Sequence, residues 1–449
     1  MRPHSCTWAP AVPVVWAVRV IGCTAVRVRS CRQSLGLVLA SCAALGAMGC
    51  ADAATPPAPI HIVEVHGLIP FVGPVTRVAM TMRAPPEPNF AVPSVAIPAS
   101  VGRGVLQAAR RSARTQPRRA TLAFTGDTLV HSPIVQQAWI NGGGVAFDFA
   151  PMFARIAPAI SDADLAVCHL ETPVAPPGEQ LSTAPRYGIP AEIAGGIAAA
   201  GYDRCSTASN HSLDRGVGGI EATVGALESV GVAQVGMARR PEESVAAVVT
   251  VEGIGVAQLS YTWSFNGLRL APEEWWRSNL IDPERIVADA IDARARGADA
   301  VIVSLHWGVE RSAVPSTFQR DVAAELTASG AIDLIVGHHA HVLQPIEMVN
   351  GRWVVFGLGN FLSNMPTGDS WPASSQDGAV VTVTIERHPD GSVAVGQPAV
   401  IPTWVDRSGG FMIRPVIADL ADPAVSDVIK AELAASLERT TALLGAFIV

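Results

Sequence analysis

Eight side chains in this sequence are of the types, and at the spacings, that metal-assisted chemistry uses. Asp127 ends the run TLAFTGD, Glu171 ends DLAVCHLE, and Asn210 and His211 end YDRCSTASNH, with Asp214 three residues further on. His306 ends VIVSLH, and His339 and His341 stand in VGHHAHVLQ. Seven of the eleven histidines (131, 169, 211, 306, 338, 339 and 341) lie at or just after the end of an apolar run. A lone histidine reads as a surface or core group; seven at equivalent places point to a shared site. Neutral imidazole is the commonest metal ligand. A set of Asp, Glu, Asn and His without paired thiolates suits two first-row divalent ions (Mn, Fe or Zn) with open positions, not a closed structural zinc. Two such ions about 3.5–4 Å apart can hold a hydroxide and clamp a phosphoryl or similar oxyanion. Asp214 is placed to orient the ring of His211. Within the histidine triplet, an extended chain would point His339 and His341 one way, each toward a different ion. His338 would point the other way, as a support.

The elements that must position these residues are short runs of mostly β-branched residues without alternation, the pattern of strands buried on both faces. Helical patterns lie between them. GIEATVGALESVG carries Ile220, Val224 and Leu227 on one face, and TFQRDVAAELTASG carries Phe318, Val322 and Leu326. Gly231 and Gly330 follow as stops. This alternation predicts an α/β domain with its ligands at the carboxyl ends of the strands. Val425, Ile429, Leu433 and Leu437 predict one amphipathic C-terminal helix. Gly142-Gly143-Gly144 lacks the Lys-Ser/Thr of a phosphate-binding loop, and there is no Gly-x-Ser-x-Gly elbow. Trp263, Trp275 and Trp276 read as core or lid packing before substrate groove.

TGD at Asp127, DLAVCHLETP, SNHSLDRGVGGIEATVGALESVGV, LHWGVE and VGHHAHVLQPIEMVNGRWVVFGLGNF occur in the order seen in the CapA family, which this chain resembles over residues 120–405. That family comprises capsule or poly-γ-glutamate synthesis proteins of the calcineurin-like metallophosphatase superfamily. The resemblance implies a layered β-sandwich flanked by helices, with the active site at strand C-terminal ends. It implies metal ligation by Asp127, Glu171, Asn210, His306, His339 and His341. His211 matches the general acid or transition-state stabiliser. Gln344, Glu347 and Asn360 fall at family-typical positions without an assigned role. The chain departs from the family at His169-Leu170-Glu171, where Asn-Leu-Glu is usual. His131 stands four residues after Asp127 in place of Asp-x-His, and its ligand role stays open. The implied activity is hydrolysis by a metal-bound hydroxide. The alternative is a non-catalytic component of polymer synthesis or export that keeps the site for binding or structure.

Charge and composition set the context. Residues 1–119 carry thirteen Arg against Asp52, Glu64 and Glu87, a net +10, which leaves −17 of the chain's −7 total to residues 120–449. An acidic main domain excludes a nucleic-acid surface, which needs a basic face. Arg27, Arg29 and Arg32 precede SLGLVLASCAALGAMGC, the pattern of a secretory signal whose last residues resemble a lipobox ending at Cys50. The expected organisation is a signal region over 1–50, a Pro/Ala/Arg-rich tether over 51–119, the site-bearing domain over 120–405 and a C-terminal extension over 406–449. The expected location is outside the cytoplasmic membrane, anchored through lipid at Cys50 at its outer face or in the cell envelope. The partners expected there are an anionic or envelope polymer and membrane-bound synthesis proteins. Five of seven cysteines fall in the first fifty residues, so Cys168 and Cys205 allow one bridge in the body.

Overall fold

The computed structural model describes residues 117–449 except Pro366 and Asp369. The signal-like segment and the tether up to residue 116 lie outside the described residues. In chain order the strands are β1 (Arg118–Thr128), β2 (Leu165–Leu170), β3 (Arg204–Ser206), β4 (Ala233–Val235), β5 (Val248–Val251), β6 (Ile254–Thr262), β7 (Ala300–His306) and β8 (Leu334–His338). They continue with β9 (Ile346–Val349), β10 (Arg352–Val355), β11 (Asn360–Leu362), β12 (Asp377–Arg387), β13 (Val393–Val395), β14 (Ala399–Asp406) and β15 (Met412–Pro415).

These form two sheets. The first runs β15-β14-β12-β1-β2-β3-β4, with β11 also paired to β1 and β13 to β12. The second runs β5-β6-β7-β8-β10-β9. Strands β1 to β4 are parallel, as are β6, β7, β8 and β10. The parallel strands are the continuous apolar runs: LAVCHL of β2 and AVIVSLH of β7 are buried at every position. A strand can be buried on both faces only if layers cover both. Leu122 and Phe124 of β1 and Leu165 and Val167 of β2 share a core with Val256, Ile302, Leu334 and Val336 of the second sheet. The sandwich core therefore lies between the sheets.

Helices cover the outer faces. On the first sheet, α1 (Ser132–Asn141) and α2 (Ile193–Ala200) bury Ile134, Ala138, Ile193 and Ile197 with Cys168, Cys205 and Ala166. Helix α3 (Gly216–Ser229) adds Leu227 to that layer. On the second sheet, α4 (Pro283–Ala295) and α5 (Thr317–Ala328) bury Ile286, Ala290, Val322 and Leu326 with Val301, Val303 and Ile335. The layered α/β sandwich expected from the sequence is present.

One detail differs from expectation. Phe318 is exposed, whereas Val322 and Leu326 are buried as the periodicity predicts. The inward position of that first turn belongs to Gln319, whose side chain closes a capping box with Ser316 and donates to Gln344. The C-terminal helix expected from the sequence is α6 (Asp427–Leu444), with Ile429, Leu433 and Leu437 packed toward Trp404 and Val416. Asp377, buried at the start of β12, accepts bonds from Ser436 and Arg439 of α6 at 2.6–2.7 Å.

Candidate metal centre

The parallel strands of both sheets end at one place. Register sets Asp127 beside His169 and Asn360, His169 beside Ser206, and His306 beside His338. Polar contacts then cross between the sheets at these ends, from β1 to β8 and from β2 to β7. Backbones approach closely here: a Cβ at Gly126 would strike the Gly359 carbonyl, and one at Gly337 the Phe356 carbonyl.

Asp127 is fully enclosed by donors. His338 Nδ1 lies 3.2 Å from its Oδ1, while His339 N and His341 Nδ1 lie 3.1 and 3.2 Å from its Oδ2. Glu171 is the opposite case. It is buried, and neither carboxylate oxygen accepts a hydrogen bond; the nearest cationic-type atoms are His341 Nε2 at 3.6 Å and His306 Nε2 at 3.8 Å. His339 Nδ1 is likewise buried without a partner. Orphaned buried polar atoms are costly and demand an explanation. A cation accepted by all of them is the explanation their chemistry suits. Ligand atoms of Glu171, His339 and His341 lie within 4.8 Å of one another, as do those of Asp127, His169 and His306. Asn210 Oδ1 lies 2.9 Å from His306 Nε2, on the Glu171 side of that ring. The donor set, imidazole and carboxylate without thiolate, fits first-row divalent ions.

The surrounding bonds aim the ligands. Asn360, whose role the sequence left open, donates through Nδ2 to the carbonyls of His341 and Ser375 at 3.2 and 2.8 Å. That turns its Oδ1 to His341 Nδ1 at 3.0 Å and leaves His341 Nε2 facing Glu171. His211 Nδ1 donates to Asp214 Oδ2 at 2.7 Å, and the same oxygen accepts from Tyr187 N. The His211 loop is tied to the centre through Ser209, whose hydroxyl donates to the Glu171 carbonyl and accepts from His211 N.

Several readings need correction. The triplet is not extended. Strand β8 ends at His338, and His339 and His341 take left-handed φ of 86° and 56°, costly for non-glycine residues and concentrated at functional sites. Alternation therefore does not apply, and His338 does not face away. Its ring stacks on His169 at 3.9 Å and reaches Asp127. Ligand atoms of His339 and His341 gather with Glu171, and the second nitrogen of His341 lies 3.2 Å from Asp127 Oδ2. His131 belongs to neither triplet: its Nδ1 sits between the Leu129 carbonyl and the Asn364 amide. Gln344 bonds Gln319 and the Ser312 carbonyl, and Glu347 pairs with exposed Arg320. Trp263, half exposed, packs 5.6 Å from the His339 ring, and Trp371 lies 5.8 Å from His341, so each ring of the pair has an indole beside it. The sequence reading left the role of His169 open and missed Ser206 and Trp371. Neither left a signal in the sequence.

Electrostatics separate the acids. Burial opposes ionisation of Asp127, yet its bonds to His338 and His341 hold it well below the usual carboxylate range. Burial without donors pushes Glu171 well above it. His341 is driven to about 9: burial opposes the proton, but Glu171 and Asp127 hold it. Burial and neighbouring imidazoles push His169 and His306 well below the usual value, and His339 to about 3. Burial also takes His131 down to about 4.

Two packed sheets covered by helices, with a buried imidazole–carboxylate cluster at the strand ends, define the class: a protein with a metal-type centre. The model of the bacterial capsule synthesis protein family PGA_cap matches residues 121–365, more than half of the chain, and the chain belongs to that family. Among relatives, the PGA biosynthesis protein CapA of Bacillus subtilis is 32% identical over 193 residues, 42% of this chain and 49% of its own length. A probable polyglutamine synthesis accessory protein of Mycobacterium tuberculosis is 30% identical over 222 residues, 45% of this chain and 56% of its own. The chain thus spans about half the length of the curated relatives it matches. A solved calcineurin-like phosphoesterase of Bacillus subtilis, YfkN, covers 72% of this chain and 99% of itself at 16% identity. The TM-score is 0.39.

Proposed function

We propose that this chain is an exported, dinuclear-metal hydrolase of a cell-envelope polymer, with Asp127, Glu171, Asn210, His306, His339 and His341 holding two divalent ions. The observation that carries this reading is Glu171: a fully buried carboxylate with no hydrogen bond, facing imidazole nitrogens on both sides. When bound, the ions would polarise an oxyanion and lower the pKa of a water. His211 serves the leaving group. Asp214 holds its Nδ1, so Nε2 is the atom that gives or takes a proton. An anionic envelope polymer as substrate is supported by the family and by the relatives, which are named for PGA biosynthesis and capsule synthesis. Export is supported by the signal-like start and by the Cys168–Cys205 bridge, a bond that persists in oxidising compartments. A lipid anchor at Cys50 would hold the domain at the outer face of the membrane, beside membrane-bound synthesis partners.

The test is turnover of bis-(p-nitrophenyl) phosphate and of poly-γ-glutamate by the metal-loaded chain. His211→Ala should lower kcat by about 10²–10⁴ with metal content unchanged, because His211 belongs to neither ligand triplet. Stoichiometric metal with no turnover on either substrate would instead support a non-catalytic component of polymer synthesis or export.

A further inference from the structure

We infer that His169 and Ser206 form a tautomer relay that aims His306 at the metal centre, an inference that rests on the metal reading above. The relay begins at the Cys168 carbonyl. Ser206 Oγ lies 3.3 Å from that oxygen and 2.9 Å from His169 Nδ1. His169 Nε2 lies 2.9 Å from His306 Nδ1, and His306 Nε2 lies 2.9 Å from Asn210 Oδ1. Asn210 presents Oδ1 to His306, and its Nδ2 lies 3.4 Å from Asn266 Oδ1.

The line can be counted. Both of its ends, the Cys168 carbonyl and Asn210 Oδ1, only accept. Between them lie three protons, one on Ser206 and one on each neutral imidazole, and four gaps. One gap must be left without a proton. If it is the gap at the Cys168 carbonyl, the longest of the four, every shorter gap is bonded and His306 Nε2 donates to Asn210. If it is the gap at Asn210, all three protons turn toward Cys168. His306 Nδ1 then donates to His169, and two lone pairs, on His306 Nε2 and Asn210 Oδ1, face each other beside the Glu171 carboxylate. Lone pairs at that separation in a dry interior repel unless a cation sits against both. Leaving the gap between His169 and His306 empty would set their lone pairs against each other, and leaving the gap between Ser206 and His169 empty would do the same to that pair; in both, His306 Nε2 donates to Asn210, which withdraws Asn210 and the Glu171-facing nitrogen from metal binding.

The two outer arrangements contain the same protons and the same charge. The line can therefore satisfy itself without metal and present His306 Nε2 with metal, by reversing direction. The Ser206 hydroxyl, free to rotate between His169 and the Cys168 carbonyl, makes reversal possible at the buried end. His169 thus acts as a positioning residue, in the part that a carboxylate or carbonyl behind a ligand histidine commonly plays. The register that places it is local: β2 and β3 pair Cys168 with Cys205 and His169 with Ser206, so the disulfide faces the helix layer and the relay faces the site.

The experiment uses the full purified chain with ¹⁵N-labelled histidine. Long-range ¹H–¹⁵N spectra should show His306 protonated at Nε2 in EDTA and at Nδ1 with Zn²⁺. By calorimetry, His169→Phe, which keeps the ring stacked on His338, and Ser206→Ala should each weaken Zn²⁺ binding at one site by about 10–100-fold. His169→Asn supplies a carboxamide oxygen that accepts from His306 Nδ1, and should restore affinity to within about threefold of wild type. Melting in EDTA identifies any variant that merely fails to fold, in which case Ser206→Ala, the smaller change, decides. A wild-type Zn²⁺ affinity in both His169→Phe and Ser206→Ala overturns the relay. So does loss of a whole metal equivalent in His169→Asn, which would make His169 a direct ligand. So does a His306 tautomer that does not change on loading. If wild type binds no Zn²⁺ at all, the metal reading fails by itself, and the Nε2-protonated state in EDTA still reports on the relay.

Discussion

Glu171→Gln separates a metal ligand from a structural acid by the sign of what it does in two conditions. Without metal, the wild-type carboxylate accepts no hydrogen bond and is buried where charge is disfavoured. An isosteric neutral amide therefore breaks no hydrogen bond; it removes one of the two acids that hold the proton of His341, and the change in stability should stay within about 1–3 kcal/mol. With metal, the wild type gains about 2.7 kcal/mol per site at a free ion concentration 100 times Kd. The described chain has about 330 residues, for which the unfolding entropy near 60 °C is on the order of 0.7 kcal/mol/K. Each occupied site should then raise Tm by about 4 °C, and two sites by about 8 °C. Glu171 faces both His306 and His341, so its loss should remove most of that rise. The assay is differential scanning calorimetry of wild type and variant, each in EDTA and in Mn²⁺ or Zn²⁺. A variant that melts more than about 4 °C lower in EDTA, or that keeps the full metal-induced rise, would refute the reasoning.

Three further outcomes follow from the same structure. Arg439→Ala strips the buried Asp377 carboxylate of its guanidinium; chemical denaturation should show a loss of about 2–4 kcal/mol, with Asp377→Asn in the same background recovering part of it. The metal-free protein should be most stable between two pH limits. His131 and His339, held at about 4 and about 3, refuse protons that the unfolded chain takes up near 6.5, so stability should fall as pH drops below 6.5, by about 1.4 kcal/mol per unit for each. His341, held at about 9, contributes stability fully below 6.5 that is lost as pH rises through 9; melting in EDTA across pH 4–10 checks both signs. Replacing Cys168 and Cys205 together by Ala opens a loop of 37 residues; Tm should fall by the equivalent of about 3–4 kcal/mol, and wild type under reductant should fall with it.

Much of this protein is determined by sequence alone. The buried strands were legible because continuous β-branched runs can be covered only by layers on both faces, and the helices because apolar residues recur at helical spacing. The ligand types were legible because histidines and carboxylates collect where those runs stop. Tertiary structure decided how these residues meet. His338 turns inward because the chain leaves β8 through left-handed residues, which alternation along an extended strand cannot anticipate. Phe318 stays out because Gln319 takes the inward position for a cap. Trp371 and Asn360 arrive at the centre from segments far along the chain. Ser206, unremarkable in RCSTAS, becomes the neighbour of His169 only through the register of β2 on β3. Spacing along one chain carries the chemistry of each side chain, but the direction of a hydrogen bond depends on what a second strand places at the other end.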